Sequence, residues 1–155
     1  MFFYGNIRSF FIKIISGLIL LLLSLFIFIS LTTYNIDDPG YGVINSYNNI
    51  MNWAGYFGAY TSSIMFVFLG YSSYLFSLFT LTISFRFLLG MNNQLVLLKT
   101  LFFIFGIILL NLSLSFIQIE NGVLSSFLYL LIYNYLSSYM QSFVFNFLMF
   151  AFFII

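Results

Sequence analysis

Chemistry in this chain would have to come from very few side chains. The acids are Asp37, Asp38 and Glu120, the bases Arg8, Lys13, Arg86 and Lys99, and there is neither His nor Cys. Without His the usual proton shuttle and the commonest zinc or haem ligand are missing. Without Cys there is no thiol nucleophile, thiolate metal site or disulfide. Asp37-Asp38 is the one adjacent pair of carboxylates. Such a pair can act as acid and base or hold a hard cation. Here it precedes Pro39-Gly40 in the most polar stretch of the chain, and two acids in a turn are ordinarily solvated turn formers. Neither Lys13 nor Lys99 follows the G-x-x-x-x-G pattern that cradles phosphates. The expected catalytic, cofactor and metal residues are therefore none, and no enzyme activity is expected. A net charge of +1 offers no basic face, so direct nucleic-acid binding is not expected either.

The elements that must carry these few groups are apolar helices. The chain is 63% hydrophobic and 5% charged; a soluble domain carries about 25% charged residues. The charges are also sorted. Arg8 and Lys13 precede the first apolar run, and Asp37 and Asp38 follow it. Arg86 and Lys99 bracket the turn between the second and third runs, and Glu120 follows the third. Random placement would give this sorting in roughly one of 35 arrangements, and connections on the cytoplasmic side hold the excess of Lys and Arg. The reading is an all-α membrane protein in a single integral domain, residues 1–155, with its N-terminus cytoplasmic and the lipid bilayer as its first partner. Four transmembrane helices are expected, with an interfacial or re-entrant helix before the last.

The first span is 14–31, where only Ser16, Gly17, Ser24 and Ser30 are not Leu, Ile or Phe. Those apolar positions contribute roughly −4 to −8 kcal/mol to insertion. A cleaved leader would have a shorter apolar part ending in small residues, so an uncleaved anchor is expected. Residues 34–53 form an external loop around Asp38-Pro39-Gly40. The second span, 58–85, carries Ala59, Ser63, Gly70, Ser73 and Ser77 at separations that place them on one helix face. In lipid such a small-residue stripe admits a neighbouring backbone, so it is expected to be buried against protein. The third span is 101–119, with Asn111 expected to bond a neighbouring helix. The Tyr-rich segment 121–139 reads as interfacial, and 140–155 as the last span. The absence of a polar flank after 155 reads as a truncated product or a fragment. No ionisable residue lies in the middle of a span, which argues against proton pumps, ion-coupled transporters and voltage sensors.

One stretch resembles a known family. Tyr34-Asn35-Ile36-Asp37-Asp38-Pro39-Gly40-Tyr41, then Asn52-x-x-Gly55-x-x-Gly58-Ala59, then Gly70-x-x-x-Tyr74, are similar to the N-terminal four-helix membrane domain of FtsK/SpoIIIE-type DNA translocases. The signature positions by this resemblance are Tyr34, Asp38, Pro39, Asn52, Gly55, Gly58, Ala59, Gly70 and Tyr74. The chain departs from the family pattern at Gly40 (usually Ser), Ser63 (an acid), Leu69 (often Phe) and Ser77 (often Pro). The resemblance implies a septum-targeting anchor in the bacterial inner membrane, serving cell division and chromosome partition. It implies a homo-oligomer or other division membrane proteins as partners, and a motor that is absent from this chain. The alternatives are an accessory subunit of another inner-membrane complex, or a decayed translocase remnant.

Overall fold

The computed structural model describes residues 2–42, 50–91, 96–116 and 122–133, with the isolated positions 143, 146, 147 and 150. Its regular elements are all helices: α1 (Phe2–Thr32), α2 (Gly55–Leu69), a 3-10 turn (Gly70–Ser72), α3 (Ser73–Leu88), α4 (Val96–Phe116) and α5 (Gly122–Tyr133). Apart from those isolated positions, the expected span 140–155 lies outside the described residues, as do the expected end of the chain at the bilayer edge, 43–49 of the loop, 117–119 of the third span, and 121 and 134–139 of the interfacial segment.

The distribution of side chains is the reverse of a soluble core. Large residues such as Phe11, Ile19 and Leu22 on α1 and Phe102 and Phe105 on α4 are exposed, whereas Ser24, Ser30, Ser62, Ser72, Ser73, Ser77, Ser84 and Ser113 are almost wholly buried. In water this would leave apolar surface wet and polar groups dry. In lipid it is the expected arrangement, because the tails solvate Leu and Phe while small hydroxyl residues let helices approach. The segments Ile7–Thr32, Gly55–Leu88 and Val96–Ser115 are long and apolar enough to cross a membrane.

α1 and α3 form the extended antiparallel pair, joined at three levels by hydroxyl groups donating to carbonyls across the interface. Ser84 Oγ donates to the Gly17 carbonyl at 2.8 Å, Ser24 Oγ to the Ser77 carbonyl at 3.1 Å, and the Tyr74 hydroxyl to the Leu31 carbonyl at 3.0 Å. Gly17, Ser24 and Leu31 are each seven residues apart, so the levels are about 10.5 Å apart along α1. A carbonyl inside a helix already accepts one bond, and its second lone pair accepts these. α4 runs antiparallel to α3. Phe103 stacks on Phe79 with ring centroids 3.9 Å apart, and Asn111 meets Ser72 further along.

The second expected span, 58–85, is two helices rather than one. Gly70 has φ 57° and ψ −139°, which ends α2, and the chain restarts as α3 through the 3-10 turn. Length explains the need: 34 residues of continuous helix would reach about 51 Å, against a hydrocarbon core of about 30 Å. α3 runs alongside α1 from Gly17 to Leu31. α2 meets the C-terminal end of α1, with Gly58 against Ser30 and the Phe66 ring 4.7 Å from that of Tyr34. Its exposed N-terminal aromatics, Trp53, Tyr56 and Phe57, are of the kind that collect at a headgroup layer. The end of the bundle that carries the 33–54 connection is termed distal, and the end that carries Arg86 and Lys99 proximal.

A helix break inside a membrane frees backbone groups that lipid cannot satisfy. Here side chains fill them. Ser72 Oγ donates to the Leu69 carbonyl at 2.6 Å, Ser73 Oγ to that of Gly70 at 2.7 Å, and Asn111 Nδ2 to Ser72 Oγ at 2.7 Å and to the Ile107 carbonyl at 2.9 Å. The start of α5 closes over the same spot. A Cβ on Gly122 would lie 2.7 Å from the Phe68 carbonyl oxygen and 2.8 Å from the Gly70 nitrogen, so only glycine fits there.

Candidate functional site at the distal end

The last carbonyls of a helix have no partner within it. α1 ends at Thr32, and the next residue, Thr33, still gives its N–H to the Ile29 carbonyl at 3.0 Å, with threonine hydroxyls adding second bonds to the carbonyls one turn back. Thr32 Oγ1 donates to the Phe28 carbonyl at 2.9 Å, and Thr33 Oγ1 to that of Ile29 at 2.7 Å. Two residues from distant parts of the chain reach the carbonyls of Ser30, Leu31 and Thr33. Asn52 Nδ2 donates to the Ser30 carbonyl at 2.9 Å and the Thr33 carbonyl at 3.3 Å, and the Tyr74 hydroxyl takes the Leu31 carbonyl. The end of α1 is therefore capped by side chains from the loop and from α3.

Asp38 holds the capping asparagine in place. Its two carboxylate oxygens accept the backbone N–H groups of Met51 and Asn52, each at 2.8 Å. Asp38 is only 5% exposed. This corrects the reading of Asp37-Asp38 as a pair of exposed turn acids. Asp37 is exposed, but Asp38 is a buried anion whose desolvation is offset by two charge-assisted hydrogen bonds. The two carboxylates thus stand in different surroundings, with no shared acid–base geometry. Among the described residues no group of acids, His or Cys forms a metal site.

Several of the remaining positions marked by the resemblance lie at or beside the same cap, whereas Gly70 breaks the helix between α2 and α3. Asn52 Oδ1 accepts the Ala54 N–H at 3.0 Å and the Asn52 carbonyl accepts the Gly55 N–H at 2.9 Å, which together turn the chain into α2. A Cβ on Gly58 would collide with Asn52 Oδ1 and Ala54, so this glycine makes the space for the capping amide. Ala59 beside it is fully buried. Pro39 stands between Asp38 and Gly40, its ring fixing φ in the turn. The Phe66 ring forms the hub of an aromatic cluster with Tyr34, Tyr74 (5.8 Å) and Tyr71 (6.2 Å). These rings border a cleft of about 760 Å³ that α5 closes through Gly122 and Ser126.

The small-residue stripe is placed differently from the expectation. All five positions are buried, but Gly70 breaks the helix, so they do not lie along one face. Ser73 and Ser77 belong to α3, and Ser77 lends its carbonyl to Ser24 of α1. Ala59 and Ser63 belong to α2, and Ser63 faces the loop: its Oγ accepts the Tyr41 N–H at 2.9 Å. A side chain at Gly40 would run into this same Ser63 oxygen. Two positions where the chain departs from the family pattern, 40 and 63, are therefore in contact. Residues the sequence reading did not single out include Ser30 and Met51, which meet the cap through backbone groups, Thr33, which enters through both its carbonyl and its hydroxyl, and Phe66, one phenylalanine among 24.

Fold and cap together define a multi-pass helical membrane domain in which motif residues stitch the connection between the first two spans onto the end of the first. Residues 10–154 match the 4TM region of DNA translocase FtsK/SpoIIIE, and the chain belongs to this family. A DNA translocase FtsK of Pseudomonas putida is 39% identical over 56 residues, a match covering 36% of this chain and 7% of that protein. No solved structure matches the chain.

Proposed function

We propose that this chain is the membrane-anchoring and septum-targeting domain of an FtsK-type DNA translocase, set in the bacterial inner membrane with its N-terminus in the cytoplasm. The family match across residues 10–154 carries this reading. The relative is named a DNA translocase, and a motor that pulls DNA needs a mount. Several membrane helices resist extraction better than one, and the sorted charges would give every subunit of a ring the same orientation. The P-loop pattern is absent from these 155 residues, so the role proposed for them is mechanical and locational, with ATP hydrolysis assigned to a motor domain outside this stretch. Partners would be further copies of the chain or other division membrane proteins.

The test is the position of a tagged copy in dividing cells. Bands at mid-cell are the expected result. An even distribution over the membrane would overturn septum targeting in favour of an accessory subunit of some other complex, and absence of detectable protein would favour a decayed remnant.

A further inference from the structure

The hydroxyl–carbonyl levels between α1 and α3 fix heights in the bundle. Ser84 lies level with Gly17 and Ser77 with Ser24, so one further step of seven residues sets Gly70 level with Leu31. Both of these border the same cleft. Continued along the α3 axis, α2 would carry Gly58 about 18 Å beyond that level. Instead Gly58 packs on Ser30, and Trp53 donates its N–H to Thr33 Oγ1 at 3.1 Å. Phe66, near the other end of α2, meets Tyr34. Both ends of α2 therefore stand at the height of residues 30–34, and the helix lies across the bundle, not along it.

That height can be placed in the bilayer. Lys13 on α1 and Arg86 on α3, which the same levels put opposite Ile15, mark the proximal boundary. Leu31 stands about 27 Å above Lys13, against a hydrocarbon core of about 30 Å. The faces of α2 suit this boundary. Gly58, Ala59, Ser62 and Ser63 are buried, while Phe57, Ile64 and Phe68 form an exposed apolar stripe on the opposite face. Phe28 and Ile29 of α1 are exposed close by, so the stripe continues a lipid-facing surface.

We propose that α2 is an in-plane helix seated in the distal leaflet, and that segment 55–88 crosses the bilayer on α3 and not on α2. The partner of its outer face is the lipid surface: the stripe lies against acyl chains, and Trp53 and Tyr56 stand among the headgroups. α3 with the 3-10 turn reaches about 30 Å and completes the crossing by itself. This position follows from the membrane class of the domain, so failure of septum targeting would leave it standing.

The chain has one tryptophan and no cysteine, so Trp53 and introduced cysteines report depth without background. The experiment uses the full chain in vesicles of phosphatidylcholine and phosphatidylglycerol. Trp53 fluorescence is quenched by lipids brominated near the headgroup or near the methyl end, and by aqueous iodide. Spin labels at F57C, I64C and F68C, with L22C on α1 as the deep reference, give depths by relaxation enhancement. Shallow bromines are expected to quench Trp53 most. The three α2 labels should lie within about 5 Å of one depth, with L22C about 13 Å deeper. A difference of about 16 Å between F57C and F68C would mean that α2 continues the α3 axis after all. An I64C label as deep as L22C would mean that α2 enters the hydrocarbon core. Labels screened from lipid and water alike would assign the stripe to a protein partner, and any of these results overturns the in-plane helix. The Trp53 measurement needs no substitution: quenching by iodide alone, or chiefly by deep bromines, would overturn it even if the cysteine variants fail to fold.

Discussion

Asp38 and Asp37 are neighbours with opposite expectations. Replacing Asp38 by Ala leaves the N–H groups of Met51 and Asn52 without their acceptor and loosens the cap on α1. The expected loss is about 3 kcal/mol, given about 1.5–3 kcal/mol for a hydrogen bond to a charged group and some recovery by water. Asp37→Ala, at an exposed position, should change stability by less than about 0.5 kcal/mol. Thermal unfolding of both variants in detergent checks the contrast; equal effects would remove the special role of Asp38. The pair at 40 and 63 makes a second residue-scale prediction. Gly40→Ser restores the residue usual in the family, yet the new side chain meets Ser63, so a loss of about 1–3 kcal/mol is expected from overpacking. Neutrality of that change would mean the loop readily shifts away from α2. The burial of Asp38 was not legible in the chain, because a D-P-G turn specifies only local backbone, whereas the groups that bury Asp38 lie thirteen and fourteen residues away. For several of the positions that the resemblance marks, the structure supplies a physical reason: Asn52 and Tyr74 cap, Gly58 makes room, and Gly70 turns.

Among elements, the break between α2 and α3 was the feature hardest to anticipate. Glycine is common in membrane helices, so Gly70 in an apolar run reads as a packing residue. Only its φ and ψ, in a region that favours glycine strongly, reveal that the run is bent. Gly70→Leu should therefore cost about 3 kcal/mol through backbone strain alone, beyond any packing effect. Unchanged melting in detergent would show that the elbow tolerates a side chain. Asn111 supports the same elbow from α4. Asn111→Leu removes its bond to Ser72 and should destabilise by about 0.6–2 kcal/mol, with a matching loss of amide protection around Leu69 and Gly70. Hydrogen exchange left unaltered there would detach Asn111 from the break. Long apolar helices around the first and third runs were readable because neither 14–31 nor 101–119 contains a charged residue. The stripe was only half readable: its residues are buried as their size requires, but their common face assumed a straight helix.

For the whole molecule, the sorted charges lead to a topology that can be checked directly. A periplasm-dependent reporter joined after Tyr41 should be active, and the same reporter after Asn92 inactive. The reverse pattern would invert the domain and place the capped end in the cytoplasm. The all-helical membrane class was visible from composition and hydropathy alone, whereas the way the connection locks onto α1 needed three-dimensional contacts. The three hydroxyl–carbonyl levels between α1 and α3 also bear on how the domain would carry a load. A pull that slides α3 along the axis of α1 strains all three levels together, as shear, and they give way only in concert. A sideways tug would peel them one after another. An anchor built in this way is strongest in the direction normal to the bilayer.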